Sequence, residues 1–168
     1  METPYIENMP EFAHLPSHYL YPGTLFGAAE PYCISTLLGS CVAVCLWDRR
    51  HGGGGMTHSM LPRVLSIGEP SARHTDISID WLVDMLDAAG CHTADLEAKL
   101  CGGAWVLGQR NSQTSIGDQN IQAALKRLAH HRIPVVGQCV GGTSGLILKQ
   151  NTATGELRIR RITPWSDE

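Results

Sequence analysis

Apolar and polar positions along this chain change their period twice. Residues 21–38, YPGTLFGAAEPYCISTLL, read as two short strands parted by Glu30-Pro31, the second of them (32–38) rich in β-formers. VAVCLWD at 42–48 is a continuous apolar run, either a buried strand or the opening of a short helix; periodicity does not separate the two. HGGGGM at 51–56 reads as a flexible turn, and MTHSMLP as a strand closed by Pro62. A loop is expected over 64–76. The period then becomes helical. In ISIDWLVDMLDAAG (77–90) the apolar residues fall at 77, 79, 82, 83, 85 and 86, with Asp76 as the expected cap and Gly90 as the stop. LEAKLCGGAWVL (96–107) reads as a strand broken at Gly102-Gly103. A second helix is predicted over 116–133, with a stripe of Ile121, Ala124, Leu125 and Leu128, Asp118 as its cap and a cationic end at His130 to Arg132. After Pro134, VVGQCVGG, SGLILKQN and ELRIRRI read as three strands, the last two joined through a Thr154-Gly155 turn.

Residues 1–20 show no period and carry Pro4, Pro10 and Pro16, so a loose extension is expected there, followed by one domain over 21–165. Strands and helices alternate in the middle and antiparallel strands close the chain. The pattern predicts a single α+β domain, an α/β sandwich of mixed β-sheets packed with two main helices.

Composition narrows the function classes. The chain has 168 residues, of which 43% are hydrophobic, enough to build a core and too many for global disorder. The net charge is −3, and the only basic cluster is Arg158, Arg160 and Arg161, which reads as a solvated strand face; nucleic acid is not an expected partner. No apolar stretch is long enough to span a bilayer. The stretch METPYIENMPEFAHLP has no basic region or long apolar core, so no signal peptide is expected and the cytoplasm is the expected compartment. The six cysteines include no C-x-x-C, and reduced thiols are expected.

One cysteine stands apart. Most cysteines between apolar neighbours are inert core residues, and Cys33, Cys45, Cys91, Cys101 and Cys139 fit that description. Cys41 instead follows Gly39-Ser40, a pair that permits a tight turn after the strand ending at Leu38. Such a turn lifts the sulfur out of the sheet and lets the N–H groups of Ser40 and Cys41 converge on an oxyanion. A nearby base is needed, and His58 follows seventeen positions later. Cys41, Cys45, His51 and His58 also form C-x3-C-x5-H-x6-H, which offers zinc-type ligands on a spacing unlike the tight C-x2-C pattern.

The strings LGSCVAVCLWD and GGMTHSMLP, together with PGTLF, AKLCGGA, IGDQNI, IPVVGQCVGG and TGELRIRRI, resemble the CheD family, the chemoreceptor glutamine deamidases of bacterial chemotaxis. The resemblance spans about residues 19–162, with the motifs in family order. It implies a thiol-dependent amidohydrolase with a Cys-His-Thr triad and no cofactor. The family Cys falls on Cys41 and the family His on His58. The family Thr usually stands six positions before the Cys, which here is Ser35; Thr36 follows it and is held in reserve. Strand alternation lets only one of the two face the site. Gly39, Gly102, Gly103 and Asn120 are candidate substrate-binding positions, although the default readings are tight bends for the glycines and surface polarity for Asn120. The family commonly has a Gly-Arg pair near its end, where this chain has Gly145-Leu146. The resemblance implies chemoreceptor cytoplasmic domains as substrate and a CheC-type phosphatase as a second partner. It also leaves room for a non-catalytic adaptor. The mechanism predicts a depressed Cys41 thiol pKa and a shallow site near the Gly52–Gly55 loop.

Overall fold

A computed structural model describes residues 10–63, 68–105 and 115–162. Among the described residues, nine strands and two α-helices form three layers. The outer layer is a four-stranded sheet in the order β1-β3-β8-β9, formed by Ser17–Tyr19, Cys33–Leu38, Gly145–Asn151 and Leu157–Ile162. The middle layer is a five-stranded sheet in the order β2-β5-β4-β6-β7. Its strands are Leu25–Ala28, Gly54–Thr57, Val42–Asp48, Leu96–Gly102 and Val135–Val140. Helices α1 (Thr75–Ala88) and α2 (Ile116–His130) form the third layer. This is the α+β sandwich with two main helices that the pattern predicts. Among the described residues no helix is long and apolar enough to cross a membrane.

The middle position of β4 explains its uninterrupted apolar run. Val42, Val44 and Leu46 face the helices and pack with Ile79, Leu82, Leu86, Ile121, Ala124 and Leu128. Ala43 and Cys45 point the other way and meet Ile34, Leu38, Leu146 and Leu148 of the outer sheet. A strand with both faces covered has no polar face to display. Edge strand β7 shows the opposite pattern, alternating half-buried and exposed along its length. Arg158, Arg160 and Arg161 are exposed on edge strand β9.

Helix α1 begins at Thr75 behind His74, with no side-chain cap; Asp76 lies inside the first turn rather than before it. A missing cap costs about 1 kcal/mol. Burial of Ile79, Leu82, Val83 and Leu86 outweighs it, at about 1.5–3 kcal/mol per side chain. Helix α2 is capped by Ser115, whose Oγ accepts from the Asp118 N–H at 3.0 Å, so Ser115 takes the role expected of Asp118. It ends at His130, and Arg132 lies beyond it with φ 57°.

Two further expectations change. The segment 1–20 is not loose throughout, because β1 pairs in parallel with β3, Tyr19 opposite Ser35. The glycine run is not a flexible turn either. Gly54 and Gly55 are buried in β5, where a Cβ on Gly55 would meet the Phe26 carbonyl at 2.4 Å and Leu82 Cδ1 at 2.7 Å. Gly55 is bare of a side chain because β2 and α1 close on it, and Gly54 because the Leu46 carbonyl of β4 would lie 2.3 Å from a Cβ there.

Candidate active site

The pairing of β4 with β5 sets the site. Cys45 lies opposite Met56, and the same register continues to Val42 opposite Ser59. Val42 and Ser59 exchange both N–H···O bonds, at 3.0 and 2.9 Å. Ala43 therefore lies opposite His58, and Cys41 is the diagonal neighbour of His58 on the same face. Diagonal neighbours sit about 7–8 Å apart at Cα, within reach of long side chains. The shared face is the one that looks toward the outer sheet.

Thr36 approaches from that outer sheet. Ile34 and Leu38 of β3 point into the intersheet core, and Thr36 lies between them on the same face. Its Oγ1 lies 2.7 Å from His58 Nδ1 and 2.7 Å from the carbonyl oxygen of Leu20. A carbonyl accepts only, so the single Thr36 hydroxyl proton goes to Leu20. The same oxygen must then accept from the ring, which places the His58 proton on Nδ1 and leaves Nε2 bare. Ser35 points to the opposite face of β3, the face on which Leu37 packs with Tyr19, Ile147 and Ile162. The hydroxyl that meets the imidazole is thus that of Thr36, not of Ser35, because an odd step along a strand reverses the face.

Burial tunes both partners. His58 is 1% exposed, and desolvation lowers its pKa to about 4. Cys41 is half-buried, and burial raises its thiol pKa; only its own backbone N–H pulls the other way. The expected depressed thiol is not found: burial raises it, and among the described residues no cation or helix N-terminus offsets the desolvation. At neutral pH the resting pair is a neutral thiol and a neutral imidazole.

The backbone around the sulfur is held on three sides. The carbonyls of Gly39, Ser40 and Cys41 accept respectively from Ala104 N at 3.1 Å, Asn120 Nδ2 at 3.2 Å and Gly103 N at 2.9 Å. Gly102 has φ +104°, and a Cβ there would lie 2.2 Å from the Cys41 carbonyl. Gly39, Gly102 and Gly103 thus frame the turn from behind. Asn120 is fully buried rather than on the surface. The His58 backbone is held too: its carbonyl accepts from Gly23 N at 2.8 Å, and its N–H donates to Thr24 O at 3.1 Å.

The other candidates separate from this group. His51 lies at the far end of β4, about 20 Å along the strand from Cys41, and bonds to Asp48. Cys41, Cys45, His51 and His58 therefore do not converge. Among the described residues, the one grouping close enough to share an ion is Asp48, His51 and Asp95. Asp48 already accepts from the N–H groups of Arg50, His51 and His92. Gly52 and Gly53 lie before β5 and Gly54 and Gly55 open it, whereas His58 follows its other end at Thr57, so the site is not at the glycine turn. A groove of 630 Å³ along α2, lined by Arg63, Asp76, Gln119, Lys126 and Arg127 among others, includes neither Cys41 nor His58.

With this geometry in view, the comparisons are decisive. Residues 52–161 match the CheD family, described as CheD chemotactic sensory transduction. The chain belongs to the CheD family. It is 43% identical over 148 residues to the "Probable chemoreceptor glutamine deamidase CheD" of Rhodospirillum rubrum, covering 88% of this chain and 84% of that protein. The protein of the same name from Trichlorobacter lovleyi is 41% identical, with 86% and 89% covered. "Probable chemoreceptor glutamine deamidase CheD 1" of Anaeromyxobacter dehalogenans is 42% identical, with 86% and 84% covered. A glutamine deamidase is an amidohydrolase. The CheD resemblance also makes sense of strings that the Cys/His pair alone leaves unexplained. PGTLF holds the backbone of His58; CGGA and IGDQNI hold the Cys41 turn; and VGG supports CGGA through Gly141 N to Gly102 O and Trp105 N to Gly142 O, both 2.9 Å. Leu146, which follows Gly145, is buried in the intersheet core.

Proposed function

We propose that this chain deamidates glutamine side chains on chemoreceptor cytoplasmic domains through a Cys41 thioester. The observation that carries the reading is the Leu20–Thr36–His58 chain of hydrogen bonds. It orients the ring and keeps the basic nitrogen free, the orienting role of a third triad member. Supporting it are the shared face of Cys41 and His58 and the names of the relatives.

The chemistry follows from the resting protonation states. His58 Nε2 takes the Cys41 proton as the sulfur attacks the glutamine Cδ, because a thiol raised by burial does not ionise on its own at neutral pH. The C–S bond forms, the carbonyl becomes an oxyanion, and the N–H groups of Ser40 and Cys41 stabilise it. The imidazolium then gives its proton to the amide nitrogen. An ion with a pKa of about 4 is a strong donor, which suits a poor leaving group. Ammonia departs and a thioester remains. His58 next deprotonates water, which attacks the thioester; glutamate leaves and the thiol is restored. Each turnover adds one negative charge to the target. The same groups suffice for a glutamyl methyl ester, whose alcohol leaves more readily.

The test is to incubate the protein with a receptor cytoplasmic fragment, follow ammonia release and map deamidated glutamines by mass spectrometry. Wild type should modify the fragment and Cys41→Ser should not. If both proteins bind it and neither modifies it, the adaptor reading replaces this one.

A further inference from the structure

We propose that Asn120 is a positioning residue that aims the oxyanion-binding N–H of Cys41 and locks the nucleophile's turn to the strand carrying His58. The proposal rests on the reading of Cys41 as an acyl-transfer nucleophile and adds a residue to that site.

Asn120 is fully buried on α2. Its Nδ2 donates to two backbone carbonyls, Ser40 O and Met60 O, both at 3.2 Å. Ser40 precedes the nucleophile, and Met60 lies two residues past the base, so one amide uses both its hydrogens to bridge the two halves of the site. Its Oδ1 is buried with no partner among the described residues. The donations, not the oxygen, are what this side chain supplies.

A trans peptide unit points its C=O and the following N–H in opposite directions. Gly39 C=O is bound to Ala104 N, so the Ser40 N–H is turned away from residues 103–104. Ser40 C=O is bound to Asn120, so the Cys41 N–H is turned away from α2. That N–H ends beside its own sulfur, where the oxyanion must form. Without the amide, the Ser40–Cys41 peptide loses the one contact among the described residues that sets its tilt from the helix side.

The base of α2 is built to hold Asn120 there. Ser115 caps the helix, and a Cβ on Gly117 would lie 2.4 Å from the Gly103 carbonyl. A Cβ on Gly103 would in turn lie 2.5 Å from Ile121 Cδ1. The helix start therefore sits directly on the loop that holds Cys41, and the side chain one turn in reaches past it to Ser40.

Two probes separate positioning from mere structural support. p-Nitrophenyl acetate acylates Cys41 through an oxyanion, whereas iodoacetamide alkylates it without one. Peptide mapping reads both at Cys41, whether or not glutamine is a substrate. Asn120→Asp removes the donors at nearly constant volume, and Asn120→Ser retains one. We expect Asn120→Asp to slow acylation by about 10- to 100-fold more than alkylation, with Asn120→Ser in between. On a receptor fragment kcat should fall and KM should stay within about twofold. Equal slowing of the two labels in either variant, or no change in their ratio, would overturn the proposal. If the wild type acylates normally but releases no ammonia from the fragment, the substrate assignment fails and the Asn120 ratio still decides this point.

Discussion

Replacing Thr36 by Val tests the triad most sharply, because the shape is kept and one oxygen is lost. That oxygen serves two buried groups, the Leu20 carbonyl and the His58 Nδ1–H. Leu20 is 0% exposed and His58 1%, so water does not replace it readily. Orphaning each costs about 1–3 kcal/mol, a stability loss of about 2–6 kcal/mol in total. The catalytic effect has a separate origin. The bond to Thr36 is what favours the Nδ1–H tautomer. Losing about 1–3 kcal/mol of that preference lets the proton move to Nε2 and depletes the reactive tautomer by about 5- to 150-fold. Freed rotation of the ring adds to this, so kcat should fall by about 100-fold or more. The assay is ammonia release from a receptor fragment, with circular dichroism to show that the variant is folded. Thr36→Ser keeps the donor and the acceptor and should retain activity to within about fivefold; Ser35→Ala, on the other face of β3, should stay within about twofold. A folded Thr36→Val protein with half the wild-type rate, or a Ser35→Ala protein as crippled as Thr36→Val, would refute the reasoning.

Other consequences can be checked independently. Gly102→Ala should abolish deamidation and lower stability by about 3 kcal/mol or more, since its Cβ would strike the Cys41 carbonyl; Gly141→Ala, with φ +75° but open space, should cost about 1–2 kcal/mol and leave turnover intact, as melting and ammonia release will show. The depressed His58 pKa makes stability depend on pH. Between the ordinary value of 6.5 and about 4 the unfolded chain binds a proton that the native chain refuses, so stability falls with pH across that window by about 3 kcal/mol. Urea titrations should show this slope, and His58→Gln should remove it. Native iodoacetamide labelling at neutral pH should mark half-buried Cys41 and Cys139 well ahead of the four buried cysteines; His58→Ala should slow only Cys41, and labelling of Cys41 should rise steeply above pH 8 because burial raises its thiol.

Much of this architecture is legible in the sequence because local patterns match the tertiary layers. The run at 42–48 is apolar on both sides because the helices cover one face and the outer sheet the other, and the helical stripes fall where Ile79, Leu86 and Leu128 meet the middle sheet. Cys41 and His58 are candidates that the sequence offers through a turn and a motif, and the strand register sets them on one face. Three things are not legible there. Spacing from the nucleophile selects Ser35, but the face of β3 is set by its register with β8, which pairs Ser35 with Lys149 and Thr36 with Leu148. Composition reads four glycines as freedom, whereas strand β4 closes on Gly54, and strand β2 and helix α1 close on Gly55. Asn120 sits between Gln119 and Gln122 and looks like surface polarity, yet the helix start leans on Gly103 and buries it. In each case a contact distant in sequence decides what a local signal leaves open.

The chemistry stands on His58 facing Cys41 as a neutral base with its proton on Nδ1. Nitrogen-15 NMR of protein labelled at histidine reports this directly, because protonated and bare ring nitrogens resonate far apart. At pH 7 the His58 ring should show a protonated Nδ1 and a bare Nε2, and it should gain its second proton only near pH 4. An Nε2–H tautomer, or a ring already doubly protonated at neutral pH, would contradict the account.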